Sequence, residues 1–438
     1  MAKPYSGVSI ETRDFRKARI IKELGSGGQG TVYLVDYDGK KMALKWYHET
    51  TFKSIEQRQQ FYDNLCKNID NGSPSDDFLW PKDITHITHG SFGYIMDLRP
   101  DRFKELSVLL VGRKARFKSF RVTVDAMLNL VNAFRILHNS GYSYQDLNDG
   151  NFFFDPDTGE CLICDNDNAA YEGNVTGILG KQRYMAPEVV LGQKMPDKYT
   201  DRFSMSVILF MMLMYLHPLE GEYSTPACMT SENEREFYGR APIFVFDPED
   251  GSNPPVKGVG DHAAAIWSEL PEYLRKAYIR SFTKGSMTFE NGGYKGARLV
   301  EREWLDVLLR FRNTICRCPS CGNEEFVSST DAVCAACGDE LPLFREIKLK
   351  KYSMPVYPGM LVRKAQLYEC PEREALDPVF EVVGTEGFPG RDYIVNVSGE
   401  TWRCITSSGA GRPLAPGERM PAKAGIKASV FGAEFEII

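Results

Sequence analysis

With 438 residues the chain is too long for one ordinary core, and two or three domains are expected. Its net charge of −6, with no Lys/Arg stripe to follow a phosphate backbone, argues against nucleic acid as a main partner. The longest apolar run, Phe203 to Leu216, has fourteen residues, short of the roughly 20 that span a bilayer, so a buried core helix and no membrane partner are expected. The N-terminal MAKPYSGVSIETRDFRKARI has no apolar segment after its basic residues, which reads as a cytoplasmic protein rather than a secreted one. Four of the eleven cysteines cluster at metal-ligand spacing, so reduced thiols and a metal site are expected rather than disulfides.

Residues Lys17 to Tyr47 alternate apolar and polar in three short runs, broken by GSGGQG and by Asp38-Gly39, a pattern that predicts a three-strand meander. Gly25, Gly27 and Gly30, followed by Val32, fit G-x-G-x-x-G-x-V, in which glycines let the backbone close over nucleotide phosphates. Lys45, in MALKW, lies fifteen residues beyond Gly30 on the next strand and can meet the same phosphates, with Ala43 beside it in the nucleotide-binding set. Ser54 to Ile69 reads as a helix with Ser54 as N-cap and with Glu56 and Asp63 along one edge of its apolar face. Gly93 to Pro100, GYIMDLRP, predicts an apolar strand that stops at proline, and Val122 to His138 a helix that stops at Asn139-Ser140-Gly141. In YQDLNDGN, Asp146 and Asn151 stand five apart, and Asp165 follows in CDND. Positioned carboxylates and metal ligands at such spacings suffice for phosphoryl transfer, which asks little covalent chemistry of a protein. Cys161 and Cys164 in CLIC are strand residues three apart that point to opposite faces, not a metal knuckle.

Glycine loop, lysine, catalytic loop and metal aspartate in this order resemble the eukaryotic-like Ser/Thr protein-kinase family over about residues 10 to 312. The resemblance implies a bilobal α+β fold that binds ATP and Mg2+ and acts on protein substrates. It makes Lys45 the phosphate-contacting lysine, Asp146 the residue orienting the substrate hydroxyl, and Asn151 and Asp165 the magnesium ligands. It makes Met96 the gatekeeper and Asp97 to Arg99 the adenine-binding backbone. The family's helix-borne glutamate, which pairs with the lysine, is Glu56 or Asp63, with Glu56 preferred. Tyr184 to Glu188, YMAPE, matches the family's A-P-E motif, and Asp201-Arg202-Phe203-Ser204 the start of D-x-W-S-x-G; Arg298 is the expected partner of Glu188.

Departures from the family's pattern carry expectations of their own. Asn166 and Asp167 replace Phe and Gly after Asp165, which keeps a pseudokinase scaffold as the alternative to an active kinase. Asp tolerates a positive φ better than most residues, so Asp167 need not break the turn. Gln145 stands where the family has the arginine that receives an activation-segment phosphate, so Thr176 and Tyr171 are expected to be dispensable as phosphorylation sites. Asn148 replaces the family's catalytic-loop lysine, and Lys181 the threonine seven residues before the A-P-E glutamate. Lys181 is therefore expected beside Asp146, with Asn148 accepting its hydrogen bond. Residues 217–262 form an insertion of no assigned role, and helical runs over Ala263 to Thr283 and Leu299 to Arg312 complete the lobe.

Cys318, Cys321, Cys334 and Cys337 form two CxxCG knuckles with twelve residues between them. That pattern predicts a structural Zn2+ ribbon, since four thiolates leave no position for water. The last ninety residues read as short strands and turns. Asn396 onward, NVSGETWRCITSSGAGRPL, resembles the C-terminal half of a forkhead-associated domain, with Gly390-Arg391 echoing that family's G-R but without its S-R-x-H motif, so a structural or partner-binding β-sandwich is expected. The division is then 1–312 kinase domain, 313–345 zinc ribbon and 346–438 sandwich. This order resembles the bacterial kinases of tellurite-resistance-type phosphorylation systems, which implies a von Willebrand A-domain protein and a metal-dependent protein phosphatase as companions.

Overall fold

The computed structural model describes residues 4–171, 174, 180–225, 228–290, 292–294, 296, 298–327, 332–341, 343, 345–385, 388–406 and 409–438. The expected meander is present within a six-stranded antiparallel sheet. Its strands are β1 (Ser9–Glu11), β2 (Lys17–Ser26), β3 (Gly30–Tyr37), β4 (Lys40–Tyr47), β5 (Asp83–Ile84) and β6 (Gly93–Met96), in the order β1-β2-β3-β4-β6-β5. Asp38 and Gly39 turn the β3–β4 hairpin with both φ positive, as a two-residue turn matched to strand twist requires. Period-two alternation along β4 sends Met42, Leu44 and Trp46 into one apolar cluster and Ala43 and Tyr47 into another. Lys45 shares the second face, toward helix α1 (Ile55–Asn71) and the cleft. Ser54 caps α1 by accepting the Gln57 N–H.

The larger lobe is built on two helices, α2 (Phe120–Asn139) and α3 (Lys198–Met214). The apolar run expected to be a buried helix is that second helix, buried on all sides from Phe203 to Met214. The expected single run Ala263 to Thr283 is two helices, Asp261–Glu269 and Glu272–Phe282, because Pro271 interrupts the backbone ladder. Glu301–Arg312 closes the lobe against α2.

Beyond the lobe, Ile315–Arg317 pairs with Glu324–Phe326, and the cysteine knuckles hang from this hairpin. The C-terminal region is a sandwich of two sheets. One runs Ser353–Pro355, Glu346–Lys348, Ala433–Ile437, Lys427–Val430, Trp402–Ile405 and Gly411–Leu414; the other runs Leu361–Arg363, Pro378–Thr385, Phe388–Asn396 and Arg419–Pro421. Phe380 of the second sheet packs on Trp402 and Phe435 of the first, with centroids 5.8 and 4.8 Å apart. Cys318, Val327, Cys334 and Leu341 of the knuckle region belong to this same core. Packing is therefore continuous across residue 345.

Charge fixes this module to the back of α2. Asp125 accepts two bonds of 2.9 Å from Arg312 Nε and one of 3.0 Å from Arg363. Arg121 donates to the Gly359 carbonyl, Asn132 to that of Glu372, and Arg373 to that of Pro74, just past α1. Inside the lobe a second charge cluster forms. His138, at the end of α2, lies 3.1 Å from Asp201 and 2.9 Å from Glu301, and Glu301 also holds Arg202.

Two outcomes follow from these clusters. Asp125→Ala leaves the Arg312 and Arg363 guanidiniums buried, each with an Nη1 that has no partner among the described residues, and should cost about 3 kcal/mol in urea unfolding of the full chain. For His138, burial alone would lower the pKa, but the hydrogen bonds and charges of Asp201 and Glu301 raise it from 6.5 to about 9. Its contribution to stability is thus complete below pH 6.5 and lost as pH rises through about 9. Glu301 is drawn from 4.5 to about 2 against the cost of burial, by His138 and then Arg202, and contributes above pH 4.5. Unfolding free energy should therefore fall between pH 6.5 and 9, and His138→Gln, which cannot titrate, should flatten that limb.

Candidate active site

The catalytic loop lies between two short strands, Tyr142–Ser143 and Phe152–Phe154, and its backbone is tied to helix α3. Asp201, on the first turn of α3, accepts the N–H groups of Tyr144 at 2.6 Å and Gln145 at 3.0 Å. Gln145 takes a left-handed conformation, with φ of 69°. Its amide donates 3.0 Å bonds to Ser143 Oγ and to the Asn174 carbonyl, so a neutral side chain ties loop to activation segment directly. Thr176 lies outside the described residues, and Tyr171 is exposed.

Three carboxamides surround Asp146. Asn148 donates to its Oδ1 at 3.0 Å, Asn151 to its carbonyl at 2.9 Å and its Oδ2 at 3.3 Å, and Asn168 to its Oδ2 at 3.4 Å. Burial pushes the Asp146 carboxyl up to about 6, opposed by the Asn148 bond and reinforced by the Asp165 charge. Gly180 must be glycine here, since a Cβ would stand 2.5 Å from Asp146 Oδ1.

Asn151 is joined through its carbonyl to the Cys164 N–H at 2.9 Å, which brings Asp165 beside it. Asp165 adopts the left-handed conformation, with φ of 50°, and lies 3.2 Å from Lys45. The positive φ thus falls on Asp165 and not on Asp167, which sits in a single 3₁₀ turn, Asn166–Asn168. Asn166 fills the place of the family's phenylalanine while fully buried, because its amide donates to the Leu79 and Ile163 carbonyls at 2.9 and 2.8 Å.

Lys45, 5% exposed, pairs with Asp167 at 2.8 Å as well as with Asp165. Burial alone would depress its pKa, but these two carboxylates raise it above the ordinary lysine value. The expected pair between Lys45 and Glu56 is not formed. Glu56 lies exposed in the first turn of α1, held to the Ser54 cap, and Asp63 is exposed and bonded to Gln59. The face that α1 turns inward instead carries Asn64 and Asn68, which donate to the Ala169 carbonyl at 3.0 and 2.7 Å.

Lys181 also departs from expectation. Its ammonium is 3.4 Å from Asp149, on a side chain 60% exposed, and Asn148 Oδ1 accepts the Gly150 N–H rather than the lysine. Asn148 thus closes an Asx-type turn within its own loop, while the lysine is drawn to the Asp149 carboxylate.

In the smaller lobe, Val32 pairs with Lys45, and Ala43 with Met96, across adjacent strands. A Cβ on Gly30 would meet the Trp46 carbonyl at 2.4 Å, whereas one on Gly25 or Gly27 meets nothing within 4 Å. Gly25 and Gly27 thus face open space, while the loop backbone is tied down by His48 on the Gly27 carbonyl and Thr51 on that of Gln29. Asp97 is held by Lys40 and Lys82, and Arg99 reaches the Phe103 carbonyl and covers the Phe153 ring.

No local sequence pattern marks Tyr47, whose hydroxyl donates to Asp167, or the brace on the activation segment. That brace comes from the insertion. Glu220 takes Arg183 in a two-point contact of 2.5 and 2.8 Å, and buried His217 meets the Arg183 carbonyl. Arg298 takes Glu188 likewise, at 2.9 Å on both oxygens, the pair expected from the A-P-E motif.

Far from the cleft, the sulfurs of Cys318, Cys321, Cys334 and Cys337 lie within 4.8 Å of one another. The Cys318–Cys337 and Cys321–Cys334 separations are 3.7 and 3.5 Å. Four thiolates each about 2.3 Å from a tetrahedral zinc would stand about 3.8 Å apart, so the cluster is compatible with that metal. Cys161 and Cys164 are not part of it.

Comparison with known proteins agrees with this geometry. The sequence model of the family described as protein kinase domain matches residues 18–252, over half of the chain. Among curated proteins, the serine/threonine-protein kinase mos of Gallus gallus is 21% identical over 229 residues, covering 48% of this chain and 65% of that protein. Its counterpart from Patiria pectinifera is 23% identical over 226 residues, covering 45% and 58%. The chain thus spans less than two thirds of the length of these relatives. Among solved structures, the Mycobacterium tuberculosis PknI kinase domain aligns over 70% of this chain and 99% of its own at 16% identity, with a TM-score of 0.46. The glycine loop, Lys45, the Asp146 loop, Asp165 and Glu188 all lie within the matched residues, and the chain belongs to the protein kinase domain family.

Proposed function

We propose that the chain is an ATP-dependent protein kinase that transfers the γ-phosphoryl group to serine and threonine hydroxyls of protein substrates. The observation that supports this most is the convergence of Lys45, Asp146, Asn151 and Asp165 on one cleft, each held by named partners. The donors fit the cofactors of the family. Asp165 and Asn151 offer hard oxygens of the kind magnesium takes, and buried Oδ1 atoms of Asp167 and Asn168 have no hydrogen-bond partner among the described residues. Magnesium held by Asn151 and Asp165 would neutralise charge on the phosphates.

In this reading Lys45 binds phosphate oxygens. Gly25, Gly27 and Gly30 bring backbone close above them, and Val32, Ala43, Met96, Asp97 and Arg99 surround the base. Asp146 orients the substrate hydroxyl, and a carboxyl near 6 is largely ionised at neutral pH, fit to accept its proton. Lys181 is the ammonium offered to that loop from the activation segment, through Asp149. The Arg298–Glu188 and Arg183–Glu220 pairs fix the shelf on which a peptide would lie.

The four cysteines are proposed as a structural zinc site, within a division into 1–312 kinase, 313–345 ribbon and 346–438 forkhead-associated-like sandwich. That order supports a bacterial cytoplasmic signalling setting with a von Willebrand A-domain protein and a metal-dependent phosphatase as companions. No helix among the described residues is long and apolar enough to cross a membrane.

Purified full-length chain should transfer radiolabelled phosphate to itself or to a protein substrate, and Asp165→Ala should reduce turnover roughly 100-fold or more. Silence in both samples across a range of substrates would favour a nucleotide-binding scaffold. Metal analysis of protein purified without added zinc should find about one equivalent per chain, lost in Cys318→Ser/Cys337→Ser; a parent chain without zinc removes the site.

A further inference from the structure

We propose that Asp167 is the positioning residue for Lys45, taking over the counter-charge that the family draws from helix α1. The inference rests on the kinase reading above and assigns one residue's part in it.

A buried ammonium needs a lasting counter-charge. Lys45 has two within reach, Asp165 at 3.2 Å and Asp167 at 2.8 Å. Their surroundings differ. The Asp165 side chain is 40% exposed, that of Asp167 fully buried. Asp165 is the proposed magnesium ligand, so its charge is shared with the metal when the site is loaded. Asp167 is then the fixed partner that the described residues offer. The same oxygen of Asp167 accepts both Lys45 and the Tyr47 hydroxyl, two residues apart on one face of β4. The carboxylate is thus held by the strand that carries the lysine, and its rotation is restricted from two sides.

Helix α1 has no carboxylate in that position, since Glu56 and Asp63 are exposed. Its hold on the cleft is through Asn64 and Asn68 on the Ala169 carbonyl. Lys45 is therefore oriented by the segment that also bears the metal aspartate, and a rotation of α1 need not break the pair.

Binding of a fluorescent ATP analogue to the full chain with magnesium present engages Asp165 with the metal and leaves Asp167 as the partner of Lys45. Asp167→Asn keeps the shape and removes the charge, and should weaken binding about tenfold. In a Lys45→Met background the same change should have no further effect, because Asp167 acts through the lysine. Glu56→Ala and Asp63→Ala should bind within twofold of the parent. Tyr47→Phe, which leaves the carboxylate in place, should shift affinity in the same direction by a smaller factor and decides the matter if thermal unfolding shows Asp167→Asn to be misfolded. Parent-like binding by Asp167→Asn, a tenfold loss that persists without Lys45, or a tenfold loss in either helix variant overturns the inference. A parent chain that binds no nucleotide overturns the kinase reading itself, an outcome distinct from these.

Discussion

A lysine ammonium buried against two carboxylates is the interaction around which the cleft is arranged. Leaving water is costly for each charge, and the pair holds only when geometry and hydrogen bonds compensate. Here the compensation comes from three directions. Strand β4 supplies Lys45 and Tyr47, the segment after Ile163 supplies Asp165 and Asp167, and α1 fixes that segment by its asparagines. Displacing β4 or the segment after Ile163 would leave charge buried without a partner. The ion pair therefore ties strand β4 of the smaller lobe to the segment after Ile163 through side chains.

The same logic holds the catalytic loop from below. Asp201 is fully engaged by two backbone N–H groups and His138, and Glu301 completes the chain of charge through to Arg202. Because the acceptors are ionised and the donors are backbone, the loop's conformation is imposed on it rather than chosen by its own sequence. That explains why Gln145 tolerates a left-handed conformation and why Tyr144 and Gln145 can stand where the family has His and Arg.

What was legible in the chain follows from how local each signal is. The Asp38-Gly39 hairpin, the glycine loop, the spacing of Asp146 and Asn151, and the two CxxCG knuckles all report on a few neighbouring residues, and the structure forms each where expected. Glu188 and Arg298 are 110 residues apart, yet could be paired because the A-P-E resemblance implies a late arginine as the partner of Glu188. The partner of Lys45 could not. Helical periodicity placed Glu56 on a face edge, but which face of α1 meets β4 is decided by packing of Phe61 and Leu65, not by charge. In sequence Asp167 stands only as a substitute for glycine, and its role depends on a 122-residue separation from Lys45 that no local pattern carries. Lys181 shows the reverse error. Two substitutions that look like one exchange in sequence lie near each other but do not bond, because the Lys181 ammonium turns to Asp149.

The C-terminal module raises the same question at larger scale. Composition divides the chain at residue 345, but the buried residues do not. Cys318 and Cys334 share a core with Trp402 and Phe435, so a metal on the cysteines and the packing of the sandwich would stabilise each other. That joint unit is then fastened to α2 by Asp125, Arg121 and Asn132, on the helix whose last residues include His138. It reaches past the lobe as well, with Arg373 on the Pro74 carbonyl at 2.9 Å, just beyond the C-terminus of α1. A module bonded both to the catalytic-loop helix and to the exit of α1 limits how far one can turn against the other. With the Lys45 counter-charge placed on Asp167, restraint of α1 is not needed to keep the ion pair. It acts instead on the Asn64 and Asn68 bonds to Ala169, and through them on the segment that bears Asp165 and Asp167.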